Sequence, residues 1–227
     1  MTPSSTSHSG PACPRVPDDK MPASQESVGG EVTGDRRGPG GHILTGPVFV
    51  DGAQPGDALE VKILSIDLPI DYGYTGCSGF VPENCERGTL SKILTFDRTR
   101  MTSEFAPGIV IPLKPFFGSM GVAPAPELGR VSSNPPGRHA GNMDNKWLVA
   151  GTRLYIPVQV PGALFAVGDG HAAQGDGEGC LTAIETNLTG DFRVTGRKNM
   201  QLPWPRPDTP PHRTHKRTPP HPDARTA

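Results

Sequence analysis

The amino-acid sequence predicts an all-β protein, a sandwich or barrel of antiparallel strands with little helix. Three observations carry that expectation. Glycine (29) and proline (27) supply close to a quarter of the 227 residues, a share that works against helices. Short apolar runs recur through the middle of the chain, most of them set apart by Pro or Gly. One run, Ala58 to Ile66, alternates apolar with polar residues almost without a break, the pattern of a strand with one face in a core.

Taken in order, residues 1–40 are rich in Ser, Pro, Gly, Asp and Arg and show no apolar periodicity, so they read as a disordered or partly docked lead-in. A β domain is expected over 41–207. Gly46 to Val50 leads into a turn-rich stretch, Asp51 to Asp57, and then into the alternating strand. There Leu59, Val61 and Ile63 share one phase, and Leu64 and Ile66 take the other near its end. Further strands are expected at 109–111, 152–158, 163–167, 182–186 and 192–195. Asp144 to Ala150 predicts one or two helical turns beginning at an Asn/Asp cap. The tail, 208–227, carries no large aliphatic or aromatic side chain and is expected to be disordered. Its histidines (His212, His215, His221) are too irregularly spaced for a metal tract.

Composition narrows the function classes. Twenty-two basic against 23 acidic residues leave a formal charge of −1, which favours neither nucleic acid nor an anionic membrane. No apolar stretch approaches the roughly 20 residues of a spanning helix. The first residues lack a basic segment followed by an apolar one, so the expected compartment is the cytoplasm, with reduced thiols. The four cysteines (Cys13, Cys77, Cys85, Cys180) have no C-x-x-C spacing and do not read as a zinc ribbon.

Chemistry concentrates in two segments. Gly168-Asp169-Gly170-His171-Ala172-Ala173-Gln174-Gly175-Asp176-Gly177-Glu178 reads as a strand-end loop whose glycines let the backbone turn sharply. Its Asp169, His171, Asp176 and Glu178 are groups that bind a divalent cation or move a proton; a flexible Gly/Asp hairpin is the plain alternative. The spacing is not that of an EF-hand, and one imidazole among carboxylates suits zinc or manganese better than magnesium. The second segment, Pro135 to Lys146, is too rich in Gly and Pro for regular structure. Asp144 there can be a ligand or a catalytic carboxylate, Asn142 and Asn145 can hold an amide, and Lys146 can stabilise an oxyanion. An Asx-turn leading into the next helix is the structural alternative. His42 enters a strand alone, a placement more often structural.

Four stretches carry a resemblance: GHILTGPVFVDGAQPGDALEVKIL, FAPGIVIPLKPFFGSMGVAP, PPGRHAGNMDNKWLVAGTRLYIPVQVPGALFAVGDGHAAQGDGE and TAIETNLTGDFRVT. In order and spacing, from about Gly38 to Thr209, they resemble the acetamidase/formamidase family. The resemblance implies a jelly-roll-like β-sandwich with appended β substructure, and hydrolysis of short linear amides to ammonia and a carboxylate. It also implies a divalent metal ion, zinc first, with calcium or manganese as alternatives. Carried over, it makes His42, Asp144, Asp169, His171 and Asp176 candidate metal ligands. Glu178 becomes the general base, with Asp144 and Lys146 beside it, and Asn142, Asn145 and Gln174 become substrate contacts. The partners implied are a small amide substrate and, for intact relatives, further copies of the same chain, with no nucleic acid or membrane.

Both ends depart from the family pattern. Almost none of the β-rich stretch expected before GHILTGP is present, and past WPRPDTP the text turns into PHRTHKRTPPHPDARTA. That switch reads as a frame change or a mis-assigned gene end, so the expectation is a truncated member whose activity suffers with its missing strands. Two further readings stand beside the amidase: a noncatalytic β-sandwich module that binds a cation or small ligand, and a cysteine-nucleophile amidase on Cys180. The second lacks the surrounding residues of a nitrilase-type site.

Overall fold

The computed structural model describes residues 4–7, 38–76, 91–179 and 181–209. All four cysteines, the tail histidines and most of the lead-in lie outside these residues. Among the described residues, fourteen strands form two antiparallel sheets. In spatial order the first sheet is β1 (Ser4–Ser7), β13 (Leu188–Arg197), β3 (Ala58–Asp67), β10 (Arg153–Pro157) and β14 (Arg206–Asp208). The second runs β7 (Ile109–Pro112), β6 (Thr102–Ala106), β5 (Ser91–Asp97), β4 (Tyr72–Gly76), β12 (Ile184–Glu185), β11 (Phe165–Ala173), β8 (Phe116–Gly121) and β9 (Ala140–Asn142). One more strand, β2 (Leu44–Val48), pairs with β11 off this path. Two single-turn 3-10 segments, Pro126–Leu128 and Asp176–Glu178, supply the only helical geometry among the described residues. No described helix is long and apolar enough to cross a membrane.

The alternation read in β3 is what packs the sheets together. Leu59, Val61 and Ile63 are fully buried, while Leu64 and Ile66 on the other phase are only partly so. From the same sheet Leu154, Ile156, Leu188 and Phe192 join them, and Phe117, Met120, Phe165 and Val167 meet them from the second sheet. The ring of Phe192 stands between Phe117 (5.3 Å between centroids) and Phe165 (6.1 Å), a bridge across the sandwich. Burying one such side chain stabilises the fold by roughly 1.5–3 kcal/mol.

Three expectations are corrected. First, Gly168 to Ala173 is not a loop: β11 runs straight through it, and every residue from Val167 to Ala173 is buried. The glycine serves close approach rather than flexibility, since a Cβ on Gly168 would lie 2.2 Å from the Ile43 carbonyl oxygen beside β2. Second, Asp144 to Ala150 forms turns, not a helix. Asp144 sits at φ 44°, in the left-handed region, and Gly151 at φ 91° turns the chain again, so the segment is bounded by non-helical backbone at both ends. Two short turns close the segment instead, Leu148 N–H donating to Asn145 O (2.9 Å) and Thr152 N–H to Val149 O (3.1 Å). Third, the Gly/Pro-rich stretch before Asp144 contains a strand after all, β9 in register with β8.

Candidate active site

The centre of the second sheet gathers the acid groups. Asp169 and His171 are two apart on β11, so the pleat points both to one face. Register then brings in a third group, because His171 lies opposite Glu185 of β12. His171 Nε2 is 3.2 Å from Asp169 Oδ1 and 3.2 Å from Glu185 Oε2, all three side chains being buried. Glu185 is further anchored by Ala183 N–H, which donates to Oε1 at 3.0 Å. On the other flank Phe116 of β8 meets the imidazole edge to face, 5.0 Å between ring centres.

Two segments outside β11 complete the cluster. Past β9 the chain folds back over β8, where Met143 N–H and Asp144 N–H both donate to Gly118 O (3.0 and 3.1 Å). Past β11 the 3-10 turn, with Gly177 at φ 75°, swings Glu178 back toward the sheet. Asp144, His171 and Glu178 consequently offer ligand atoms within 4.8 Å of one another, as do Asp169, His171 and Glu185. Gly118 makes the space: a methyl group there would lie 2.6 Å from Asp169 Oδ2, 2.7 Å from Asp144 Oδ1 and 2.9 Å from His171 Cε1.

The electrostatics follow from crowding four carboxylates, two buried and two half-buried, around one imidazole. Burial drives Asp144 well above the usual carboxylate range, and the charge of Glu178 adds to it against the pull of His171. Burial likewise raises Glu178, with His171 opposing. For His171, burial alone would favour the neutral ring, but Glu185 and Asp169 outweigh it and hold the imidazole well above its ordinary value. Asp169 goes the other way: burial raises it, yet the charge and hydrogen bond of His171 bring it below the usual range. These residues fit a divalent cation. His171 Nδ1 is buried with no hydrogen-bond partner, and an imidazole with carboxylate oxygens is a donor set of zinc-like type.

The remaining sequence candidates fall at varied distances from this centre. His42 stands at its edge, with Nε2 3.8 Å from Asp169 Oδ2 and Nδ1 2.8 Å from Ser133 Oγ. Gln174 Nε2 donates to Glu178 Oε2 at 2.5 Å. Asn142 Nδ2 donates to Asn134 O at 2.9 Å, and its Oδ1 faces Ser119 Oγ at 3.4 Å. Asn145 makes an Asx-turn, its Oδ1 accepting from Trp147 N–H at 3.1 Å. Asp176 is not gathered with the others: its side chain is 93% exposed and paired with Lys146. The two therefore clasp each other across the segments that bear Asp144 and Glu178.

Three residues of the site escaped the sequence reading: Glu185, Gly118 and Ser119, whose Oγ donates to Asp169 Oδ2 at 3.2 Å. A charged residue inside the apolar run 182–186 and a glycine inside FFGSMG were the available signals, since strand interiors hold neither without cause. Beside the cluster lies a cavity of about 590 Å³ whose lining includes His42, Ser119, Asn142, His139 and Ser133 together with apolar side chains. Burial holds His139 below its ordinary value, which favours the neutral ring.

The chain has relatives among known proteins. The family model described as the Acetamidase/Formamidase family matches residues 39–134 and 130–207. The acetamidase of Mycolicibacterium smegmatis is 28% identical over 60% of this chain and 48% of its own. Two crystal structures share the fold. A predicted acetamidase/formamidase from the thermophile Thermoanaerobacter tengcongensis is 35% identical, with a TM-score of 0.68, covering 74% of this chain and 55% of that one. The acetamidase of Bacillus halodurans is 31% identical, with a TM-score of 0.67, covering 80% of this chain and 62% of that one. The chain spans about half the length of the curated relatives it matches.

Proposed function

Because the chain belongs to the acetamidase/formamidase family, we propose that it hydrolyses the C–N bond of linear amides of the formamide and acetamide type, water adding to the carbonyl and ammonia leaving. The observation that carries this reading is the convergence of Asp144, His171 and Glu178 over Gly118. Asp144, His171 and Asp169 would hold a divalent ion, with His42 and Glu185 beside them, and zinc suits the donor set. When bound, such an ion supplies Lewis-acid polarisation of the carbonyl or a more acidic water.

The rest of the chemistry belongs to the protein's own side chains. Glu178, raised by burial, takes the proton of the attacking water and returns it to the amide nitrogen as the C–N bond breaks. Gln174 occupies Oε2 of that carboxylate, leaving Oε1 to receive the proton. Asn142 and Ser119 orient the amide, and the Lys146–Asp176 clasp keeps the two segments in register. Ammonia release from formamide and acetamide by the full chain, alongside metal analysis of the same sample, tests the reading. Turnover that falls on chelation and returns with zinc supports it. A bound metal with no ammonia from either amide would leave a cation-binding β module in its place.

A further inference from the structure

We infer that the site takes primary amides with an apolar acyl chain of several carbons, and that this chain lodges in the 590 Å³ cavity beside the acid cluster. The inference rests on the amidase reading and adds the substrate class to it. Cavity and cluster share a wall. His42 and Ser119 line the cavity, and both touch Asp169 Oδ2 (3.8 and 3.2 Å), whose carboxylate in turn meets His171. An amide head at that wall has partners. Ser119 Oγ gives its proton toward Asp169 and keeps lone pairs for an amide N–H. Asn142 Nδ2 spends one N–H on Asn134 O and keeps the other for a carbonyl.

The remaining walls are mostly apolar, with Ser132, Ser133 and His139 as their polar side chains. Ile43, Leu44, Pro47, Val122 and Leu164 line the space with hydrocarbon. Acetamide, at roughly 30 Å³ per water-sized group, occupies on the order of 100 Å³ and leaves most of the cavity to water with few partners. An acyl chain displaces that water and buries its methylenes, which is the source of both affinity and discrimination. Binding energy from a chain remote from the carbonyl also helps hold the reacting atoms in place.

The test is a homologous series, acetamide, butanamide and hexanamide, followed by ammonia release, with calorimetric titration of hexanamide in parallel. Expected is a rise in kcat/KM of roughly threefold to fourfold per methylene, together with measurable hexanamide binding. Ala166→Leu and Val131→Phe, each narrowing the cavity from a different wall, flatten the series and weaken hexanamide binding. Acetamide turnover with no rise along the series, or a rise that survives both variants, overturns the inference and leaves the amidase reading standing. Hexanamide binding that both variants weaken, with ammonia released from no amide, supports the proposed occupant of the cavity and overturns the amidase reading. Absence of hexanamide binding and of a rise along the series overturns the inference outright.

Discussion

On the outer face of the five-stranded sheet, Glu60 is buried between two arginines, Oε1 3.1 Å from Arg153 Nε and Oε2 2.5 Å from Arg197 Nη2. Nearby, Asp57 is paired with Lys198 at 2.8 Å and accepts from Gln54 and Asn199 N–H groups. Across the core, Asp169 and Glu185 are buried too and Asp144 and Glu178 half-buried, yet the ion pairs of these four involve only His171 and His42. Two like charges about 4 Å apart repel by roughly 4 kcal/mol at the dielectric of such sites. The first region is electrically complete as folded. The second stays so only by binding protons or a cation, and that deficit, more than any single side chain, separates a structural acid from a functional one.

The largest way to break the comparison is at the proton carrier. Glu178→Gln keeps the shape and the Gln174 contact region but removes the proposed base, and ammonia release should fall by about 10²–10⁴-fold with metal content unchanged. Undiminished turnover in metal-replete protein would remove Glu178 from the mechanism. Phe192→Ala, on the complete side, should cost about 3–5 kcal/mol in urea unfolding by opening the bridge between the sheets. Its cluster ligands lie apart from that ring, so metal stoichiometry in the folded fraction should hold. Gly118→Ala separates the regions more finely. Its methyl group must displace Asp144, Asp169 or His171, so zinc affinity should drop at least tenfold while stability changes by about 1–3 kcal/mol.

Titration sharpens the contrast because three groups of the acid cluster carry the opposite sign to Asp57, Asp169 alone in the cluster being lowered. Asp144, Glu178 and His171 are all raised in the folded protein, so the native state binds more protons than the unfolded chain. Their contribution is full below the unfolded values and is lost as pH rises through the folded ones. Asp57 is lowered, chiefly by Lys198, so its contribution is present above the ordinary carboxylate range and is lost as pH falls through its folded value. Metal-free protein should thus lose unfolding midpoint as pH climbs from the ordinary values of these groups through their raised folded ones, and zinc affinity should rise over the same interval as protons leave the ligands. A flat midpoint and a flat zinc affinity there would refute the deficit. The smallest effect belongs to Asp176→Asn, where loss of an exposed pair with Lys146 should change stability by less than about 1 kcal/mol.

Much of this architecture was legible before any coordinates. β3 could be read because one of its faces is core and the other is not, and that difference is written as alternation. β11 could not be read to its end because it is buried on both faces and carries glycines where other backbone approaches, so its composition imitates a loop. Asp169 and His171 were visible as candidate ligands, whereas Glu185 becomes their neighbour only through strand register, which no local pattern encodes. Asp176 and Glu178 were both read into the site, one as a ligand and the other as the base, yet the reversal at Gly177 sends Glu178 inward and Asp176 to Lys146. The helix expected at Asp144 failed for a related reason: its cap-like residues serve an Asx-turn and a left-handed bend that fold the segment over β8.

The position of β11, with β8, β12 and β2 all bonded to it, has a mechanical consequence. Asp169 and His171 ride on a beam braced along both flanks, while Glu178 rides on a three-residue turn at the beam's tip. Slow amide hydrogen exchange should mark the beam and rapid exchange the tip. In the proposed hydrolysis, the compliance that would admit reactants and discharge ammonia is then confined to the part that would carry the proton, while Asp169 and His171 stay still through each cycle.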